Sequence, residues 1–102
     1  MTGVQTCALP IYAIGPVRDA TLDDVETALV CAAQVAPSWA ATSPADRAGR
    51  LEAAANSLES DTEALITLLV REAGKTCANA VAEVREAVDF LRYYAQIGRA
   101  HV

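Results

Sequence analysis

Two carboxylates near the end of the chain have a spacing that suits ligand binding. Glu83 and Glu86 are three residues apart, and Phe90 and Tyr93 follow at intervals of four and three residues. On an α-helix these intervals bring side chains onto one surface. The two carboxylates could hold an ammonium group or a basic partner there, or they could belong to an ordinary solvated face. The spacing alone leaves both interpretations open.

The other residues with chemical potential form no complete catalytic site. The single histidine, His101, lies in the last six residues, which we expect to be non-native, and the three cysteines, Cys7, Cys31 and Cys77, contain no Cys-x-x-Cys pair. We therefore expect no Ser-His or Cys-His nucleophile, no zinc site and no disulfide framework. The glycine-rich patterns that hold nucleotide phosphates are also missing. The sequence predicts no catalytic, cofactor-binding or metal-binding residue, and small buried thiols at Cys31 and Cys77.

The composition favours a small helical domain. The 102 residues are 53% hydrophobic but only 5% aromatic, and the formal net charge is −5. Alanine-rich helices fit such a composition better than a core of large side chains. The negative charge argues against binding to nucleic acid or to an anionic membrane surface, and no stretch approaches the roughly 18 apolar residues of a membrane span. We expect an all-α chain of about four helices, with a cytoplasmic location.

The first helix is predicted from a capping box and a proline. Thr21 and Asp24 have the spacing of a box that starts a helix, and Pro37 is expected to stop it. Trp39 then falls in the following link, and we expect Trp39, Tyr93 and Tyr94 to pack rather than to stack on a ligand. The predicted apolar stripe consists of Leu22, Val25, Leu29, Ala32 and Val35 or Ala36.

The second helix is predicted from Ser43 and Pro44, a cap followed by a proline at the first helical position. Its end is expected near Glu59. Small and medium-sized apolar residues recur along it at helical spacing and form its predicted stripe: Ala45, Ala48, Leu51, Ala55 and Leu58.

A third and a fourth helix complete the predicted fold. Ser60 and Glu63 have capping-box spacing at the start of the third helix, Gly74 is expected to end it, and Thr76 to start the fourth. The third helix is apolar around much of its circumference, so it needs cover on more than one side. In the fourth helix the predicted core stripe consists of Val81, Val84, Val88, Leu91 and Ala95.

Both ends of the chain differ from the segment between them. Back-translation of MTGVQTCALPI and of IGRAHV gives the two strands of a nucleotide string that resembles a short-read sequencing adapter. We therefore expect residues 1–11 to be a non-native head and residues 97–102 a non-native tail, both poorly packed. Residues 12–96 are then the authentic segment.

Three stretches of that segment carry a family resemblance. They read WAATSPADRAGRLEAAANSLE from Trp39, LVREAGKT from Leu69, and AEVREAVDFLRYYA from Ala82. Here the chain resembles the N-terminal helical part of the aldehyde dehydrogenase superfamily, an α/β fold. It is most similar to the L-glutamate gamma-semialdehyde (pyrroline-5-carboxylate) dehydrogenase domain of bifunctional proline utilization proteins. The resemblance covers residues 15–96.

The resemblance implies a parent enzyme larger than this chain. That parent would be an NAD-dependent oxidoreductase and a homo-oligomer. It would act on a small molecule, L-glutamate gamma-semialdehyde, in proline catabolism. A bifunctional parent would also carry a separate upstream proline dehydrogenase domain with FAD. In the family the catalytic and NAD-binding residues lie C-terminal to the matched segment, so the fragment is expected to be inactive alone.

The resemblance also bears on the two carboxylates. The family position matched by Glu86 points toward the substrate, which favours Glu86, and after it Glu83, as contacts to the ammonium group of the substrate. Two other interpretations stay open. The chain could be a free-standing acidic helical module that binds proteins, or it could come from an aldehyde dehydrogenase with a different substrate. A free-standing module would be expected to cover its own apolar helices.

Overall fold

The computed structural model describes residues 13–100, and every regular element in that range is an α-helix. The expected all-α fold of four helices is confirmed for this part of the chain. The chain divides into two compact units between Ala40 and Ala41, the first containing α1 and the second the other three helices. The helices are α1 (Leu22–Ala40), α2 (Pro44–Ser60), α3 (Thr62–Ala73) and α4 (Cys77–Ala100). None of them is long and apolar enough to cross a membrane.

The start of α1 is the capping box that the sequence predicts. The backbone N–H of Thr21 donates to Asp24 Oδ2 at 2.8 Å, and the backbone N–H of Asp24 donates to Thr21 Oγ1 at 3.1 Å. Arg18 adds an ion pair to the same carboxylate oxygen at 2.9 Å. These bonds satisfy N–H groups that have no partner within a helix, and they fix where α1 begins.

The predicted end of α1 is wrong. The helix passes through Pro37 and ends at Ala40, so Trp39 belongs to the helix and not to a link. Proline has a φ angle that a helix accepts, but inside a helix it removes one N–H donor and its ring crowds the carbonyl group four residues earlier. In α1 the hydroxyl of Ser38 donates to the carbonyl oxygen of Val35 at 2.9 Å and so adds a hydrogen bond beside the proline.

The apolar stripe of α1 is not a buried one. No residue of α1 is buried, and Leu22 is 89% exposed. The spacing identified the helix correctly, because periodicity reports which residues share a face. It does not report whether anything covers that face.

The junction between α2 and α3 corrects a second prediction. The start of α2 is confirmed, since Ser43 Oγ accepts from the backbone N–H of Asp46 at 3.1 Å. Ser60, however, is the last residue of α2 and donates its hydroxyl to the carbonyl oxygen of Asn56 at 3.0 Å. Its side chain is therefore committed to α2, and Asp61 alone joins the two helices.

The turn between α3 and α4 follows the prediction. Gly74 ends α3 in the left-handed conformation, with φ of 67°, which glycine adopts without the steric cost that other residues have. Thr76 Oγ1 accepts from the backbone N–H of Asn79 at 3.1 Å and so caps the first turn of α4. The chain thus reverses direction within three residues.

The core lies between α2 and α4 and consists mainly of alanine. Ala55, Ala80 and Ala95 are fully buried, which lets the two helix backbones approach closely. Val81, predicted in the core stripe, is exposed, and Ala80 takes its place. A core stripe predicted from the large apolar residues misses an alanine seam, because only small side chains fit where two helix backbones lie close together. The remaining core residues are Ala48, Val84 and Val88.

Two ion pairs show the direction in which α4 runs along α2. Arg92 pairs with Glu59, and Arg99 pairs with Glu52. The residue later in α4 pairs with the residue earlier in α2, so the two helices are antiparallel. Residues 97–100 continue α4 and take part in this packing, and the expectation of a poorly packed tail is wrong for them. Residues 1–12, 101 and 102 lie outside the described residues, and the division at residues 11 and 96 stays a prediction.

Candidate functional site

Glu86 lies on the side of α4 that faces away from α2. Val84 and Val88 are buried against the core, and Glu86 is two residues from each of them. At about 100° per residue, this places Glu86 on the opposite side of the helix. Its side chain is exposed. The core packing of α4 therefore orients this carboxylate outward.

A mainly apolar surface surrounds Glu86, and the charged side chains of Arg85 and Asp89 also line it. Phe90 and Tyr93 lie on the same face, as the sequence predicts, together with Val81 and Ala82. Every residue that lines this surface belongs to α4, so it is an open face and not an enclosed cavity. A carboxylate beside aromatic rings could hold an ammonium group if further protein covered the face, because exclusion of water strengthens the charge interaction.

The aromatic residues of α4 contact one another. The ring centroids of Phe90 and Tyr94 are 6.2 Å apart in a stacked arrangement, and those of Tyr93 and Tyr94 are 5.3 Å apart in an edge-to-face arrangement. The rings are nevertheless half exposed, and Trp39 in α1 is 46% exposed. The expectation that Trp39, Tyr93 and Tyr94 are packing residues is only half right, since a large part of each side chain remains accessible.

Glu83 does not share the face of Glu86. Its Oε1 lies 2.6 Å from Lys75 Nζ, and it borders the groove between α3 and α4 beside Leu69 and Glu72. Side chains three residues apart on a helix differ in direction by about 60°, and Glu83 lies on the side of α4 that is next to α3. The two carboxylates are thus separated by the packing of a neighbouring helix, which the spacing did not reveal.

Sequence reasoning also missed the polar groups that join α2 to α4. Arg92 Nη2 donates to Asn56 Oδ1 at 3.1 Å in addition to its ion pair with Glu59, and Arg99 holds both oxygens of Glu52. The hydrogen bond from Arg99 lowers the pKa of Glu52, and the same bond raises the pKa of Arg99. These partners are more than thirty residues apart, so no local spacing could indicate them.

The cysteines differ from expectation. Cys31 and Cys77 are free and exposed, so the prediction of buried thiols is wrong. Cys31 lies in α1, which buries no residue, and Cys77 is the first residue of α4. Within residues 13–100 no group of three histidine, cysteine or acidic side chains is placed to hold a metal ion.

Comparison with known proteins decides the family. The model of the aldehyde dehydrogenase family matches residues 10–101. The chain belongs to this family. Its four described helices are therefore a part of the aldehyde dehydrogenase fold, as the resemblance implied. No solved structure matches the chain significantly.

Individual relatives within the family are of two kinds. The chain is 56% identical over 95 residues to the bifunctional protein PutA of Escherichia coli K12, and 55% identical over 95 residues to that of Salmonella typhimurium. These alignments cover 93% of this chain and 7% of each relative. It is also 39% identical over 83 residues to the 1-pyrroline-5-carboxylate dehydrogenase of Bacillus pumilus, covering 81% of this chain and 16% of the relative. The chain thus spans a small part of each relative.

Proposed function

We propose that the chain is part of an NAD-dependent dehydrogenase that oxidises L-glutamate gamma-semialdehyde to glutamate in proline catabolism. One observation carries the proposal. The chain matches both bifunctional PutA proteins and proteins named 1-pyrroline-5-carboxylate dehydrogenase, and both matches cover more than four fifths of it. The region they share with this chain is therefore the dehydrogenase part. A bifunctional parent would also have a proline dehydrogenase domain that uses FAD.

In this proposal Glu86 binds the ammonium group of the substrate. Its exposed carboxylate lies on the face of α4 that points away from α2, beside Phe90 and Tyr93. The charge has the sign that an ammonium group requires, and the rings would limit the access of water. Charge-assisted hydrogen bonds of this kind contribute roughly 1.5 to 3 kcal/mol. Glu83, the second candidate, is engaged by Lys75.

NAD would accept the hydride that leaves the aldehyde carbon as the acid forms. We assign no NAD contact and no catalytic group to residues 13–100, where we find no glycine-rich turn that could hold a pyrophosphate. The contribution of these helices is to bind and orient the substrate. The isolated chain is accordingly expected to show no dehydrogenase activity, and the cytoplasmic location and homo-oligomeric state of the parent stay predictions.

An acidic helical module that binds other proteins is the alternative. The exposed apolar side chains of α1 and the open face of α4 are compatible with it. Membership in the aldehyde dehydrogenase family favours the enzyme, because the same faces would be covered within a larger domain of that family.

A chimeric enzyme tests the proposal. The matching segment of the Escherichia coli PutA protein would be replaced by residues 13–96 of this chain, and NADH formation measured with L-glutamate gamma-semialdehyde and with propionaldehyde. We expect NADH formation with a clear preference for the semialdehyde, since only this substrate carries an ammonium group.

The unmodified PutA protein and the isolated chain serve as controls. A chimera that folds, binds NAD and oxidises propionaldehyde as efficiently as the semialdehyde would contradict the proposed substrate. A folded chimera that oxidises neither aldehyde would contradict the proposed function.

A further inference from the structure

An ion pair closes the turn between α3 and α4. Lys75 lies in the turn, between Gly74 and Thr76, while Glu83 lies nearly two helical turns into α4. Their side chains meet at 2.6 Å, and both are between one third and one half exposed. The pair therefore ties the turn to the body of α4 across eight residues of sequence.

The backbone of the turn is already fixed at both ends. The N–H of Lys75 bonds to the carbonyl oxygen of Leu69 in the last turns of α3, and Thr76 caps α4. These bonds set the path of the turn, whereas the rotation of α4 about its own axis also depends on its side-chain contacts. The contact between Lys75 and Glu83 is one such restraint, because it joins a fixed point of the turn to one side of the helix.

Rotation of α4 matters for the proposed substrate contact. Glu86 follows Glu83 by three residues and lies about 60° around the helix from it. Any rotation of this part of α4 that separates Glu83 from Lys75 also moves the carboxylate of Glu86. Ala80 and Val84, which are buried on the other side, restrain the same segment by packing alone.

We propose that Glu83 is a positioning residue, which through Lys75 holds the first half of α4 at the rotation that presents Glu86 to the substrate. This inference rests on the proposed function. It also replaces the expectation that Glu83 itself contacts the substrate, because Lys75 already offsets the charge of this carboxylate and Glu83 borders the groove next to α3.

The restraint on α4 can be tested on this chain without any substrate. Hydrogen exchange of the backbone amides of α4 would be measured for Glu83→Gln, Lys75→Met and the double variant. Pairs exposed to this degree change local stability modestly, so we expect roughly two- to fivefold faster exchange in residues 80–84 for each single variant. The double variant should be no faster, and Lys75→Arg should restore the slow exchange. Unchanged exchange in both single variants would overturn the restraint.

The effect on substrate binding is tested in the chimera. Glu83→Gln and Lys75→Met should each raise KM for the semialdehyde by roughly two- to fivefold with little change in kcat, because the reacting groups are untouched. KM for propionaldehyde should not change, and the exchanged pair Lys75→Glu with Glu83→Lys should restore KM. A merely structural role would instead affect both aldehydes equally.

Two results would overturn the positioning role. If Glu83→Gln raises KM and Lys75→Met does not, Glu83 contacts the substrate itself. If neither changes KM, the pair has no part in substrate binding. A folded chimera with an intact pair that oxidises neither aldehyde refutes the proposed function, and the exchange experiment then decides separately whether the pair restrains α4.

Discussion

Glu86 faces away from α2 on the surface that carries Phe90 and Tyr93. In the chimeric enzyme we expect Glu86→Gln to raise KM for L-glutamate gamma-semialdehyde by about 10- to 100-fold, as loss of a charge-assisted hydrogen bond predicts. The change should leave kcat nearly constant if the contact is equal in the ground and transition states. Steady-state rates of NADH formation measure both quantities.

The matched control for this variant is Glu63→Gln, which removes a carboxylate from the exposed part of α3. Oxidation of propionaldehyde by the Glu86 variant is a second control, because that substrate has no ammonium group. Equal KM values for the two glutamine variants would exclude Glu86 from substrate binding.

The thiols of Cys31 and Cys77 are exposed and form no disulfide. In the Cys7→Ser variant we expect two thiols to react with an aromatic disulfide reagent at nearly the rate measured in denaturant. Release of the coloured thiolate reports the reaction. Protection of either thiol by a hundredfold or more would show that it is covered in solution, and the single variants Cys31→Ser and Cys77→Ser would identify which one.

At the scale of the helix, the capping box of α1 makes a prediction about pH. The pKa of Asp24 is lowered, first by the hydrogen bond from the backbone N–H of Thr21 and then by Arg18. Because the pKa of Asp24 is lowered in the folded state, its ionised carboxylate stabilises the helix start when the pH is above the ordinary Asp pKa of about 3.9. The stabilisation is lost as the pH falls through the lowered value.

We therefore expect the Cα chemical shifts of the first turn of α1 to move toward random-coil values in acid. In Asp24→Asn the same shifts should already be displaced at neutral pH and should change less on acidification. Asp23→Asn is the matched control, since Asp23 lies in the same turn but is not the residue that bonds to Thr21. Identical pH profiles for the two variants would count against the cap.

For the three-helix unit, the alanine seam between α2 and α4 determines how close the helices lie. Ala55 has no exposed surface. We expect Ala55→Leu to destabilise the chain by about 1 to 3 kcal/mol, because the larger side chain must push α4 away or adopt a strained rotamer. Urea unfolding measured by circular dichroism gives the change.

Ala53→Leu is the control for this substitution, since Ala53 lies on the same helix but is exposed. Its effect on stability should be small. If both leucine variants unfold at the same urea concentration, α2 and α4 do not pack through Ala55.

The ion pair between Glu52 and Arg99 links the same two helices. The hydrogen bond from Arg99 lowers the pKa of Glu52. The pair therefore stabilises the fold when the pH is above the ordinary glutamate pKa of about 4.3, and this stabilisation is lost as the pH falls through the lowered pKa. We expect Glu52→Gln to unfold at a lower temperature than the unchanged chain at pH 7. The difference should shrink in acid, as thermal unfolding at several pH values would show. A difference that is the same at every pH would contradict this assignment.

The sequence by itself determined the helices and most of their ends. Hydroxyl and carboxylate caps at Thr21, Ser43 and Thr76, and the left-handed glycine at Gly74, act within a few residues, so their hydrogen bonds can be read from spacing. The long motif from Ala82 also sufficed to indicate the family that the comparison then showed. The errors at Pro37 and Ser60 concern residues that can either end one helix or lie within it. At both positions the helix continues, because continuation satisfies more backbone hydrogen-bonding groups.

Only the tertiary structure decided which faces are covered and which acids are engaged. Three residues of spacing put Glu83 and Glu86 on neighbouring parts of a helix, but the position of α3 gave Glu83 to Lys75 and left Glu86 exposed. Likewise, no local pattern separates a buried Ala80 from an exposed Val81, since both lie near the edge of the apolar face. Burial depends on the distance and direction of other helices, and contacts between residues far apart in sequence set both.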